Sequence, residues 1–112
     1  MKYKVIEIES LVADDAAVEI RYAIAAARAE TAELIRLDIP FSDDEKEYKK
    51  LFNSLVRLLK GMKEEHLIQF FATEKSFSDK STESAFLLNK YPSIFICGLT
   101  DNERAGFIYV KI

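Results

Sequence analysis

The sequence predicts a single α/β domain spanning residues 1–112. It reads as a sandwich: a mainly parallel five-stranded sheet, a C-terminal antiparallel hairpin, and helices on both faces. Three observations carry this. Apolar alternation of period two and apolar spacing of three and four take turns along the chain. Residues 32–65 form a well-marked strand, turn and helix. The chain has 112 residues, 49% of them hydrophobic, which is enough for one core and hardly for two.

The strand–turn–helix unit organises the rest. Ile35, Leu37, Ile39 and Phe41 alternate with Arg36, Asp38 and Pro40, giving a strand with one strongly apolar face. Pro40 has no N–H to give a ladder and marks the strand's end. Ser42 and Glu45 have the spacing of a capping box, and Asp43, Asp44, Glu45 and Glu47 suit the positive end of a helix dipole. Tyr48, Leu51, Phe52, Leu55, Leu58, Leu59 and Met62 then repeat at helical spacing. Gly61 could end this helix, or it could run to about Glu64. The turn lacks glycine and is crowded with acids, so capping accounts for it better than phosphate binding.

Before this unit, Tyr3–Glu9 is strand-like, with Glu7 and Glu9 on the face opposite Ile6 and Ile8. That places it near an edge or a solvated rim. Asp14 and Asp15 start an alanine-rich helix, in which Ala17, Ile20, Ile24 and Ala27 recur at core spacing with Val18 and Tyr22 nearby. After the unit, Leu67–Thr73 reads as a strand buried on both faces, and Glu74–Lys80 as a polar loop. Ser78, Asp79 or Ser81 can cap a short helix that ends before Pro92. Ser93–Leu99 and Gly106–Ile112 read as the two strands of the closing hairpin.

Composition excludes several function classes. Charged residues make up 31% and the net charge is −3, an ordinary globular balance without a global field for nucleic acid. One cysteine, Cys97, cannot form an intramolecular disulfide, which fits a reducing cytoplasmic compartment. No leader pattern and no long apolar run appear, so no membrane association is expected. The segment after the first strand has no glycine, which excludes dinucleotide and P-loop signatures.

In open parallel sheets, ligands gather beyond the carboxyl ends of the strands. Residues expected at that rim are Glu9, Ser10, Asp38, Ser42, Glu74 and Lys75, with Thr73 and Cys97 nearby. Two carboxylates, Glu9 and Asp38, have the chemistry of a magnesium or manganese site, although solvated rim acids are commoner. Zinc is poorly served by one histidine and one cysteine. Cys97 reads as a buried inert thiol and His66 as a solvated capping residue. Lys75, Lys80, Lys90 and Arg104, with Phe77 and Tyr91, are a candidate basic–aromatic surface. No cofactor, metal ligand set or catalytic constellation is identified.

Ile6–Ala17 (I-E-I-E-S-L-V-A-D-D-A-A), Leu34–Ile39 (L-I-R-L-D-I) and Ala105–Val110 (A-G-F-I-Y-V) resemble successive segments of the small MutS-related (Smr) domain. The family's His-Gly after the first strand is Glu9 and Ser10 here, and its glycine-rich loop is Asp38–Phe41. An extra β-α element falls around Leu67–Tyr91. The resemblance implies a nucleic-acid-binding domain without the family's nicking residues.

Three functions follow from these readings. The leading expectation is a non-catalytic binding or protein-interaction module, self-associating through an apolar edge or helix face. A degenerate Smr-like nucleic-acid binder is second. A small metal-dependent hydrolase using Glu9 and Asp38 is third.

Overall fold

The computed structural model describes residues 2–95 and 106–112. Strand β1 (Tyr3–Glu7), helix α1 (Ala13–Ala29), strand β2 (Leu34–Asp38) and helix α2 (Glu45–Glu64) form the first half. Strand β3 (Phe70–Thr73), helices α3 (Glu74–Ser78) and α4 (Thr82–Lys90), and strand β4 (Phe107–Lys111) follow.

The sheet order is β1-β2-β4-β3. β1 and β2 are parallel, and β4 runs antiparallel to both β2 and β3. β1, β2 and β3 therefore point the same way, as the sequence predicts, but one reversed strand is inserted among them. The expected five-stranded, mainly parallel sheet is corrected accordingly. The described residues hold a four-stranded mixed sheet, and its last strand lies inside rather than at an edge. The reason is burial. All five residues Phe107–Lys111 are buried, and a strand covered along its whole length belongs in a sheet's interior. Leu67–Thr73 errs in the opposite sense. Only Phe70–Thr73 is strand, it is an outer strand among the described residues, and of its residues only Ala72 is fully buried.

The expected hairpin partner also differs. Ser93–Phe95 form a turn beneath α4, held by amide bonds from Ile94 to Tyr91 and from Phe95 to Pro92. The rest of that strand and its hairpin loop, with Cys97 and Arg104, lie outside the described residues.

Register assigns each face. Lys4, Ile6, Ile35, Leu37, Ile108, Val110 and Phe71 alternate onto one side. There they meet Ala16, Ile20, Ile24 and Ala27 of α1 and Leu51, Leu55, Leu59 and Met62 of α2. The other side presents Leu34, Ala72, Phe107 and Tyr109 to Leu87, Tyr91 and Phe95. α1 and α2 thus pack against one side, and Leu87 of α4 against the other. Fully burying one such leucine or isoleucine is worth about 1.5–3 kcal/mol.

Local signals decide the element ends. α2 is capped by Asp44, whose carboxylate accepts from the amides of Lys46 (3.0 Å) and Glu47 (3.2 Å). The predicted capping box is thereby shifted: Ser42 Oγ instead accepts from the Asp44 amide. An anionic cap is the stronger acceptor at a positive dipole end. The helix continues past Gly61 to Glu64. The predicted polar loop Glu74–Lys80 is largely helix α3, started by a reciprocal Thr73–Ser76 capping box. Ser81 caps α4.

Candidate functional site

Because β1, β2 and β3 run the same way, their carboxyl ends share one rim, where β4 also begins. The six predicted rim residues are not brought together there as one site. The amides of Glu9 (3.3 Å) and Ser10 (3.2 Å) donate to the Glu19 carboxylate, which ties this turn to α1. Ser42 serves the turn before α2. Glu74 and Lys75 do converge: with Tyr48, Thr73 and Gly106 they line a recess of about 230 Å³. Burial pushes the Tyr48 phenol above its usual range, a Gly106 backbone hydrogen bond opposes this, and the Glu74 charge adds to the rise. Thr73 is engaged as the cap of α3.

Asp38 turns to the α4 side of the sheet. Its two oxygens accept from Arg36 Nε (2.7 Å) and Nη2 (3.1 Å), a forked pair between residues two apart on one strand. This bond holds the Arg36 guanidinium protonated far beyond its ordinary range. Tyr3 on the neighbouring strand is pushed up to about 12, chiefly by burial and then by Tyr109. A carboxylate spent on a guanidinium is a poor metal ligand, which counts against the hydrolase reading. Among the described residues no group of three His, Cys, Asp or Glu side chains is placed to hold a metal ion.

Two clefts carry positive charge. One, of about 750 Å³, runs between α2 and β3, with Lys60, Lys63 and Lys75 around Phe52 and Phe71, and with Glu64 and Glu83 also on its walls. The other, of about 640 Å³, includes Arg28, Lys63 and His66 at the ends of α1 and α2. There Arg28 Nη1 donates to the Leu67 carbonyl at 3.0 Å. Arg28 and Lys63 stand in the last turns of α1 and α2, where a cation offsets the dipole, so capping accounts for these two.

The outer face of α1 is the feature that sequence reading missed. The helix buries Ala16, Ile20, Ile24 and Ala27 at 2% exposure or less. Val18 and Tyr22, expected beside that row, lie on the opposite side at 53% and 74% exposure. Ala25 and Ala29 continue this outer row, while Leu11 and Val12, both exposed, lead into it. A helical projection separates the two rows: positions 18, 22, 25 and 29 fall roughly half a turn from 16, 20, 24 and 27 at about 100° per residue. The alanines hide this signal, because they satisfy an apolar count on every side.

No helix among the described residues is long and apolar enough to cross a membrane. No family model matches the chain, and no curated protein or solved structure is detectably similar to it.

Proposed function

We propose that the chain is a non-catalytic protein-interaction module of the cytoplasm whose contact surface is the outer face of α1. One observation carries this: a helix with two apolar rows, one in the core and one in solvent. A single exposed apolar side chain is ordinary. Val18 and Tyr22 stand one helical turn apart on the outer side of α1, with Leu11 and Val12 exposed in its lead-in, and apolar side chains grouped on one exposed face mark contact surfaces. Covering Val18 and Tyr22 would recover up to about 1.5–3 kcal/mol for each.

The test is photo-cross-linking in the native host from an aryl ketone residue at position 22, with position 57 on the exposed side of α2 as control. A discrete protein adduct from position 22 alone is expected. Equal, diffuse labelling from both positions would remove the proposal.

A second reading rests on the Lys60, Lys63 and Lys75 groove. Three lysines around two phenylalanines suit a phosphate backbone with a stacked base, although of the basic surface expected from the sequence this groove holds Lys75 alone. Glu64 and Glu83 on the same walls weaken it, which ranks it second. Anisotropy titration against single- and double-stranded DNA and RNA tests it. Three phosphate contacts correspond to a slope of roughly −2 to −3 in log affinity against log salt. Absence of binding at low salt would end this reading.

A further inference from the structure

We infer that a single-stranded nucleic acid runs along the outer side of α2, its phosphates on a basic stripe of that helix and its bases turned into the groove between α2 and β3. This rests on the second reading above and gives it a ligand form and a footprint.

α2 concentrates positive charge in a chain whose net charge is −3. Lys49, Lys50, Arg57, Lys60 and Lys63 fall between Glu47 and Glu64, with no acid among them. At about 100° per residue, Lys49, Lys50, Arg57 and Lys60 lie within roughly a third of a turn of one another, with Asn53 between them. The buried row Leu51, Leu55, Leu59 and Met62 points the opposite way. All five cations are exposed, and among the described residues only Lys49 pairs with a carboxylate, Glu45 at 3.7 Å. A solvated helix side is commonly laced with alternating charge, and this one is of a single sign. Dipole compensation accounts for Lys63 in the last turn, but Lys49, Lys50 and Arg57 lie before it. From Lys50 to Lys63 the stripe runs about 20 Å.

Stripe and groove are one surface. Lys60 belongs to both, and Lys63 and Lys75 continue the charge around Phe52 and Phe71. Glu64 and Glu83 on the groove walls repel phosphate, yet a carboxylate accepts hydrogen bonds from the amino groups of bases. The charges therefore divide the ligand, with phosphates outside on α2 and bases inside against the phenylalanines. An acidic peptide would meet the same two glutamates with nothing to give them. A duplex keeps its base faces stacked within itself. Lying on α2 it would also reach α1, about 8–10 Å away at ordinary helix packing, where Asp14 and Asp15 are exposed.

The test is anisotropy of labelled cytosine and thymine strands of about 16 nucleotides over a range of salt. Five or six phosphate contacts give a slope of about −4 in log affinity against log salt, whereas the groove's three lysines alone give about −2. Lys50→Gln with Arg57→Gln should weaken binding at least about tenfold at about 0.1 M salt, with the melting temperature unchanged because both side chains are exposed. Arg21→Gln with Lys90→Gln makes the same charge change off the stripe and should alter affinity by no more than about twofold. The cytosine strand, which carries amino groups, should bind several-fold tighter than the thymine strand.

No loss from the stripe pair, or an equal loss from the control pair, would overturn the footprint. If Lys63→Gln with Lys75→Gln still weakens binding in that case, the groove reading survives alone. Equal affinity for the two strands would overturn the placing of bases in the groove. A duplex, polyglutamate or phosphatidylserine vesicles competing as well as the single strand would overturn the choice of ligand. Absence of binding to either strand at low salt would end both this inference and the reading beneath it.

Discussion

Tyr3 and Gly106 show how single positions on the sheet hold measurable stability. The folded state keeps Tyr3 protonated to about 12, whereas an unfolded tyrosine ionises near 10. Below the unfolded value both states are neutral and the contribution is complete. As pH rises from about 10 towards 12 the unfolded chain gives up its proton first, so stability falls across that window. Denaturant titrations from neutral to strongly alkaline pH should show this decline, and Tyr3→Phe should make it shallower. An unchanged slope in the variant would mean that Tyr3 titrates alike in both states. At Gly106, an added Cβ would collide with the Tyr48 hydroxyl. Gly106→Ala is therefore expected to destabilise by about 1–3 kcal/mol through overpacking. The penalty should shrink in a Tyr48→Phe background, which removes the colliding oxygen. Equal penalties in the two backgrounds would place the strain elsewhere.

The helices show where sequence is legible and where it is silent. α2 was readable because its apolar spacing is strict and its other side is charged, so one row could face only one way. Leu55 lies at the centre of that row and is 1% exposed. Leu55→Ala should cost about 2–5 kcal/mol in equilibrium unfolding. α1 was legible as a helix but not as a surface, since alanine fits core and solvent alike. The rim suffered from a related ambiguity. Glu9, Ser10 and Ser42 follow β1 and β2, and their partners are local groups that spacing does not reveal. Helix ends hid something else. α1, α2 and α3 are each followed by a residue with positive φ, and these are Thr31, His66 and Lys80. In each case the next residue's amide returns to the last turn, as in Ala32 to Ala27 and Leu67 to Met62. Glycine is the usual occupant, and a β-branched side chain is the most strained there. Thr31→Gly should therefore stabilise by up to about 1 kcal/mol, and thermal melts that show a loss would contradict this account.

Strand order is a property of the whole molecule, and local patterning did not contain it. Beyond the charged face that marks β1 as an outer strand, β2, β3 and β4 are each mostly apolar, so the chain offers no marker for which of them are adjacent. The nearest-neighbour assumption then placed the last strand in a hairpin at an edge. Long-range pairing won instead: Asp38 sits opposite Phe107, and Ile35 opposite Val110. β4 closes the sheet by joining β2 to β3, so the second half of the fold is held to the first largely through it. A central strand loses its hydrogen bonds only when the domain opens as a whole, whereas outer strands can fray. Native-state hydrogen exchange in rising denaturant should thus show the amides of Leu37, Ile108 and Val110 merging with global unfolding. The amides of Ile6 on β1 and Ala72 on β3, which bond inward to the neighbouring strand, should exchange at a lower opening free energy. Had β4 lain at an edge, Val110 would exchange with that second group. Finding it there would reject the central placement, and with it the account of why Phe107–Lys111 is buried from end to end.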